Sequence, residues 1–372
     1  MSNTQKKNVP ELRFPEFEGE WEEKQLGNII KVNSGKDYKH LDKGDIPVYG
    51  TGGYMTSVSE PLSEIDAVGI GRKGTINKPY LLEAPFWTVD TLFYCTPKKE
   101  TDILFILSLF RKINWKVYDE STGVPSLSKQ TINKINRFVP TNKEQQKIGK
   151  FFSKLDRQIE LEEQKLELLQ QQKKGYMQKI FSQELRFKDE NGNDYPVWTN
   201  ERLGEVTTVT MGQSPKSVNY TDNSNDTVLI QGNADIENGL INPRIYTREV
   251  TKLIQKDEII LTVRAPVGKL AMAQINACIG RGVCSIKGDK FLYYFLEWFA
   301  TQNKWIRFSQ GSTFESISGN DIRNIHIKIP VEDERTKIIK LLNSLDVLNS
   351  KTDLKIQNLK QRKQSLLQKI FV

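Results

Sequence analysis

Arginine, lysine and carboxamide side chains set beside glycines occur twice in this chain of 372 residues. "GRKGTINK" presents Arg72, Lys73, Thr75 and Lys78, "VRAPVGK" presents Arg264 and Lys269, and "IGRG" adds Arg281. A guanidinium can give two parallel hydrogen bonds to the major-groove edge of guanine, and Gln or Asn can pair with adenine in the same way. Gln213, Gln231 and Asn233 are candidates of that second kind. Glycines let a backbone approach phosphate closely, and Ser121, Thr122, Ser312 and Thr313 offer neutral hydroxyl donors. Any one of these residues is better explained by surface decoration. Their recurrence in two places is what points to a nucleic acid.

Material for catalysis is sparse. The two histidines, His40 and His326, stand in unrelated contexts, so a Ser-His-Asp or Cys-His system has little to draw on. "GIGRKG" carries Gly69, Gly71 and Gly74 but continues into neither a dinucleotide fingerprint nor a P-loop, and reads as turn chemistry. Cys95, Cys278 and Cys284 have neither disulfide-framework nor zinc spacing. No catalytic or metal residues are assigned, and the chain is read as not an enzyme. Lys plus Arg number 54 against 46 Asp plus Glu, an excess that favours a polyanionic partner only if it gathers on one face. No stretch reaches the roughly 20 apolar residues of a membrane span, and "MSNTQKKNVPELRF" lacks a signal-peptide core. A soluble protein, free of membrane partners and cytoplasmic, is the expectation.

The residues that must position these side chains show an internal repeat. With a constant offset, "VPSLSKQTINKINRFVPTNKEQQKIGKFFSKLD" falls on "FESISGNDIRNIHIKIPVEDERTKIIKLLNSLD". Ser128 meets Ser318, Pro140 meets Pro330, Glu144 meets Glu334, Leu155-Asp156 meets Leu345-Asp346, and "QKIF" occurs in both. No gap is needed over about sixty residues. "LRFPEFEGEWEEKQLGNI" and "LRFKDENGNDYPVWTNERLGEV" match more loosely at the starts of the halves. Between the matched ends the halves diverge.

The matched segments are helices with a seam. Ile148, Phe152, Leu155, Ile159, Leu166, Leu169, Tyr176 and Ile180 keep heptad spacing, as do Ile338, Leu342, Leu345, Ile356, Leu359, Leu366 and Ile370. Each helix would run about 60 Å. A narrow apolar stripe of that length needs a partner, and the other copy is the obvious one, in antiparallel pairing. Glu162 with Thr352, and Lys173 with Lys363, interrupt the seam and would help fix its register. Glu144 and Glu334 place negative charge in the first turns, where the helix dipole favours it.

The divergent blocks alternate β-type runs such as "DIPVYGTGGYMTSV" and "DEIILTVRAPVGKLAMA" with one apolar helical segment each. The fold class is therefore α+β: two mixed α/β domains, residues 1–140 and 185–330, separated by two long helices, 141–184 and 331–372. The helices pair as an antiparallel coiled coil, and the internal repeat is pseudo-twofold.

"LRFPEFEGEW", "VYGTGGY", "STGVPSLS" with "GSTFESIS", "VPTNKEQQKI" with "IPVEDERTKI" and both copies of "QKIF" together resemble the specificity subunit of type I restriction-modification systems. The likeness extends from Leu12 to Phe371. It implies two target recognition domains, each reading one half of a bipartite, asymmetric site in double-stranded DNA, with the helices as a ruler between the halves. It also implies two DNA-adenine methyltransferase (modification) subunits docked on the helices, and motor-nuclease (restriction) subunits joining for cleavage. S-adenosylmethionine, ATP and magnesium would then belong to those partners, with no cofactor on this chain. The competing reading is a coiled-coil adaptor whose variable domains bind protein or carbohydrate. Another is an enzyme built on the "GIGRKG" loop, disfavoured by the missing catalytic set.

Overall fold

The computed structural model describes residues 8–305 and 316–372. The chain forms two compact units, the first of residues 1–164 with 353–372 and the second of residues 165–352. Two long helices, Asn142–Phe181 and Glu332–Ile370, are each divided between them.

In the first unit, strand Ala67–Gly71 is buried along its whole length, as its uninterrupted apolar sequence requires. It lies inside a four-stranded antiparallel sheet ordered Ile30–Ser34, Leu92–Pro97, Ala67–Gly71, Tyr80–Leu82. A second sheet pairs Ile46–Gly50 with Gly53–Val58 and, in parallel, with Trp87–Thr88. Helix Ile103–Lys112 packs its apolar face, Phe105 to Phe110, into the core. Asp102 caps that helix, accepting the backbone N–H of Phe105. Strand Glu22–Gln25 closes the block by pairing with Asn136–Val139, just ahead of the long helix.

The second unit repeats the plan with other residues. Its four-stranded sheet runs Val209–Met211, Val283–Ile286, Ile259–Thr262, Leu270–Met272. Thr227–Ile230 lies parallel to Ala277–Ile279, helix Lys290–Thr301 is capped by Asp289, and Thr199–Arg202 pairs with His326–Ile329. Matched serines cap matched short helices: Ser128 accepts the Thr131 N–H, and Ser318 that of Asp321.

In each unit the long helices run antiparallel. Asp156 pairs with Lys363 and Glu163 with Lys360 in the first, and Lys173 with Asp346 in the second. Ile148, Phe152, Ile159, Ile180, Ile338, Leu342, Leu345, Ile356 and Ile370 are buried, as the heptads predict. Leu155, Leu166, Leu169, Leu359 and Leu366 are half-exposed. The heptad reading needs two corrections. Met177 and Leu367 are buried where Tyr176 and Leu366 were chosen. The helix ends also pack on the globular cores as well as on each other. Ile148, Phe152, Ile370 and Phe371 join Trp21 and Phe105, while Met177, Ile180 and Phe181 join Trp198, Phe291 and Phe295. The aromatic of each "QKIF" is thus an anchor: Phe371 lies 5.5 Å from Phe105, and Phe181 lies 5.6 Å from Phe291, between ring centroids.

Glu144 and Glu334 do more than meet a helix dipole. Glu144 is 1% exposed and accepts two hydrogen bonds from Arg13, at 2.9 and 2.7 Å, and one from the Trp21 indole at 3.3 Å. Glu334 takes the same set from Arg186, at 2.9 and 2.7 Å, and from Trp198 at 2.8 Å. The carboxylate holds each arginine's pKa above its ordinary value. The loosely matched "LRF…W" segments are the partners of the helix starts, and the buried fork–fork geometry fixes their approach.

Candidate nucleic-acid interface

One turn in each unit gathers the candidate residues. In the first unit it is Thr88–Thr91, between strands Trp87–Thr88 and Leu92–Pro97. The Thr88 carbonyl accepts the Lys36 N–H at 2.8 Å, the Val89 N–H donates to Tyr49 at 3.0 Å, and the Thr91 carbonyl accepts the Arg72 N–H at 2.8 Å. Arg72 in turn accepts from Leu127, and Gly74 donates to Pro125, which lays the 119–127 loop alongside. That loop is organised by Asp119, whose Oδ1 accepts from the Ser121 N–H and hydroxyl and from the Ser126 N–H, at 2.9 to 3.0 Å. These bonds hold its carboxyl below the usual carboxylate range. Arg72, Lys73 and Lys36 remain exposed around the turn. Beside them the hairpin tip carries exposed Tyr54 and Met55, braced by Tyr49 and by the Tyr80 hydroxyl donating to Gly50.

In the second unit the turn is Ile279–Gly282. Ile279 accepts the Gln213 N–H at 2.9 Å, Gly280 donates to Ile230 at 2.7 Å, and Gly282 accepts the Val263 N–H at 2.9 Å. Val263 then accepts from Ile317, and Arg264 bridges Ser316 as Lys73 bridges Ser126. The two turns make corresponding backbone hydrogen bonds, while their side chains differ.

With that geometry in place the comparisons can be read. The profile described as type I restriction modification DNA specificity domain matches residues 18–171 and again residues 180–361. The chain belongs to that family. A putative type I restriction enzyme specificity subunit of Methanocaldococcus jannaschii, MjaX, is 30% identical over 66% of this chain and 61% of its own length. The MjaVIII specificity subunit of the same organism is 25% identical over 77% of this chain and 71% of its own. Among solved structures, the type I restriction-modification S subunit of M. genitalium matches with TM-score 0.69 at 16% identity, covering 98% of this chain and 99% of that one. A chain from a study of type I R-M assembly and conformational transition matches with TM-score 0.59 at 19% identity, covering 94% and 97%. The last two likenesses concern the fold.

A specificity domain must present unengaged donors and acceptors on a rigid frame, and the candidates divide accordingly. Arg72, Lys73, Lys78, Thr122, Gln213, Arg264 and Arg281 are exposed on the turns and their flanking loops, Arg72 also donating to the Asp90 carbonyl at 3.4 Å. Lys269 is not so presented, because its ammonium donates to the Asn233 and Ile236 carbonyls at 3.1 and 2.6 Å and holds that turn together. Ser121 has its hydroxyl engaged by Asp119, and Thr75 and Asn233 are half-buried. Ser312 and Thr313 lie outside the described residues. Lys36 escaped the sequence reading, although "VNSGKDY" and "VTMGQSP" share a valine and, three residues on, a glycine followed by a long polar side chain.

Among the described residues, no three His, Cys, Asp or Glu side chains gather as a metal would require. All three cysteines are buried, which pushes the Cys284 thiol up to about 12 and that of Cys95 higher still. No helix among the described residues is long and apolar enough to cross a membrane.

Proposed function

We propose that the chain is the DNA-recognition subunit of a type I restriction-modification complex, each unit reading one half of a bipartite, asymmetric duplex site. One observation carries this: the same hydrogen-bonded turn is built twice and decorated differently, Lys36 and Arg72–Lys73 in one copy, Gln213, Arg264 and Arg281 in the other. Equal frames with unequal side chains suit a site of two unequal halves. The specificity subunits among the curated relatives support the same reading.

Two methyltransferase subunits would dock on the long helices and motor-nuclease subunits would join for cleavage. S-adenosylmethionine, ATP and magnesium would be held by those partners, and the chain itself would direct adenine methylation or restriction without catalysing either. Adenine methylation within a duplex needs the base turned out of the stack, which falls to the methyltransferase. The helices would set the spacer. Long-read mapping of methylated bases, in cells expressing the chain with its methyltransferase partner, should return one split adenine-containing motif. Methylation at scattered or unsplit sites would overturn the proposal. Four residues inserted near Gln171 add about 6 Å, nearly two base-pair steps, and should lengthen the spacer with both half-sites unchanged.

A further inference from the structure

We propose that Lys36 and Gln213 are the matched specificity residues of the two half-sites, Lys36 selecting guanine and Gln213 selecting adenine. The inference rests on the DNA-recognition reading above and goes further, to single residues and the base each takes.

Backbone geometry makes the positions equivalent. The N–H of Lys36 donates to Thr88 and that of Gln213 to Ile279, and the next residue along each turn, Val89 or Gly280, donates to the neighbouring parallel strand. The N–H just before each donates to the facing strand, Gly35 to Leu92 and Gly212 to Val283. Both preceding residues are glycines for the same reason. A Cβ at Gly35 would stand 1.9 Å from the Val89 carbonyl oxygen, and one at Gly212 would stand 2.1 Å from that of Gly280. The main chain is therefore pinned at the residue itself and at the glycine before it, so Lys36 and Gln213 leave the frame from a fixed seat.

What the seat carries differs in kind. Both side chains are exposed, and among the described residues neither the ammonium nor the carboxamide has a partner within the protein. That separates them from Lys269 and Ser121, whose polar groups are engaged. An ammonium only donates, which matches guanine O6 and N7, both acceptors. A carboxamide donates and accepts, which matches the N7 and N6 amino group of adenine. One rigid seat with two hydrogen-bond alphabets is what a pair of related but unequal half-sites needs.

The test uses the full chain and its Lys36→Gln and Gln213→Lys variants, each selected against a library of randomised duplexes and the bound fraction sequenced. Wild type should enrich a split motif. Lys36→Gln should change one position in one half from guanine to adenine, altering preference there about ten- to hundredfold, and leave the other half alone. Gln213→Lys should do the reverse in the other half. Lys36→Arg keeps the donors, so it should keep guanine, and a different base there would sink the proposal. An unchanged motif would also sink it. So would a uniform loss across all sequences with a shallower salt dependence, because that marks a phosphate contact. A wild-type chain that enriches no motif would instead overturn the DNA-recognition reading itself.

Discussion

The two units share a skeleton and differ in what hangs on it. Both have the same four-strand order, one parallel strand pair, an aspartate-capped helix and a buried Arg–Glu–Trp anchor at the start of a long helix. The repeat is strict where backbone and buried charge meet, and lax where side chains face solvent. One buried feature breaks the likeness. Lys173 and Lys363 occupy equivalent places, yet Lys173 is held by both Glu297 and Asp346, and Tyr294 donates to Asp346 at 2.7 Å. Lys363 has Asp156, which also receives Arg111. Burial holds the Glu297 carboxyl above its usual range, against the pull of Lys173. The difference teaches that a polar interruption of the seam is not one device. In the first unit a carboxylate is shared by two cations, and in the second a cation is shared by two carboxylates.

The sharpest way to break the comparison is at the anchors. Glu144→Ala and Glu334→Ala each strand a largely buried arginine, so each should cost its own unit about 3–5 kcal/mol. Urea titration followed by proteolysis of each unit checks this, and unequal losses would mean that the two anchors are not equivalent. Next come the pinning glycines. Gly35→Ala and Gly212→Ala force a backbone carbonyl to move and should cost up to about 3 kcal/mol apiece, read as a lowered unfolding midpoint.

The lysines separate the units more finely. Lys173→Met leaves Glu297 without its cation and should cost about 1–3 kcal/mol, whereas Lys363→Met leaves Asp156 with Arg111 and should cost under about 1 kcal/mol. The pH dependence has a definite sign. A carboxyl with a raised folded pKa gives stability present at low pH and lost as pH rises through the carboxylate range toward the raised value. Lys173→Met removes an effect that lowers that pKa, so its deficit should shrink on acidification, and adding Glu297→Gln should weaken that pH response, leaving the part that Asp346 contributes. Equal pH profiles for the two lysine variants would erase the distinction. Smallest in stability are Lys73→Ala and Arg264→Ala, at equivalent exposed places. Both should stay within about 0.5 kcal/mol of wild type while weakening duplex binding and lowering its salt dependence.

Much of this was legible in the sequence. The gapless repeat gave the helices and their antiparallel seam, because helical spacing is a local property, and it matched Ser128 with Ser318 without reading either as a cap. Glu144 and Glu334 were visible as a matched pair, but their true partners, Arg13 and Arg186, stand 131 and 148 residues away in a segment of only loose similarity. Lys36 was missed because its backbone seat is set by Thr88, a strand neighbour far along the chain, not by its own surroundings. Lys269 was included because a basic residue beside a glycine looks available, and only the fold turns its ammonium inward.

By itself the amino-acid sequence determined a doubled α+β chain with two seam helices and basic glycine turns. Helical and strand periodicity acts over a few residues, so a linear reading captures it. Tertiary structure alone decided which long polar side chains remain unengaged. Hydrogen-bond partners are assigned by strands brought together from distant parts of the chain, and a donor's availability is settled only when every neighbour is in place.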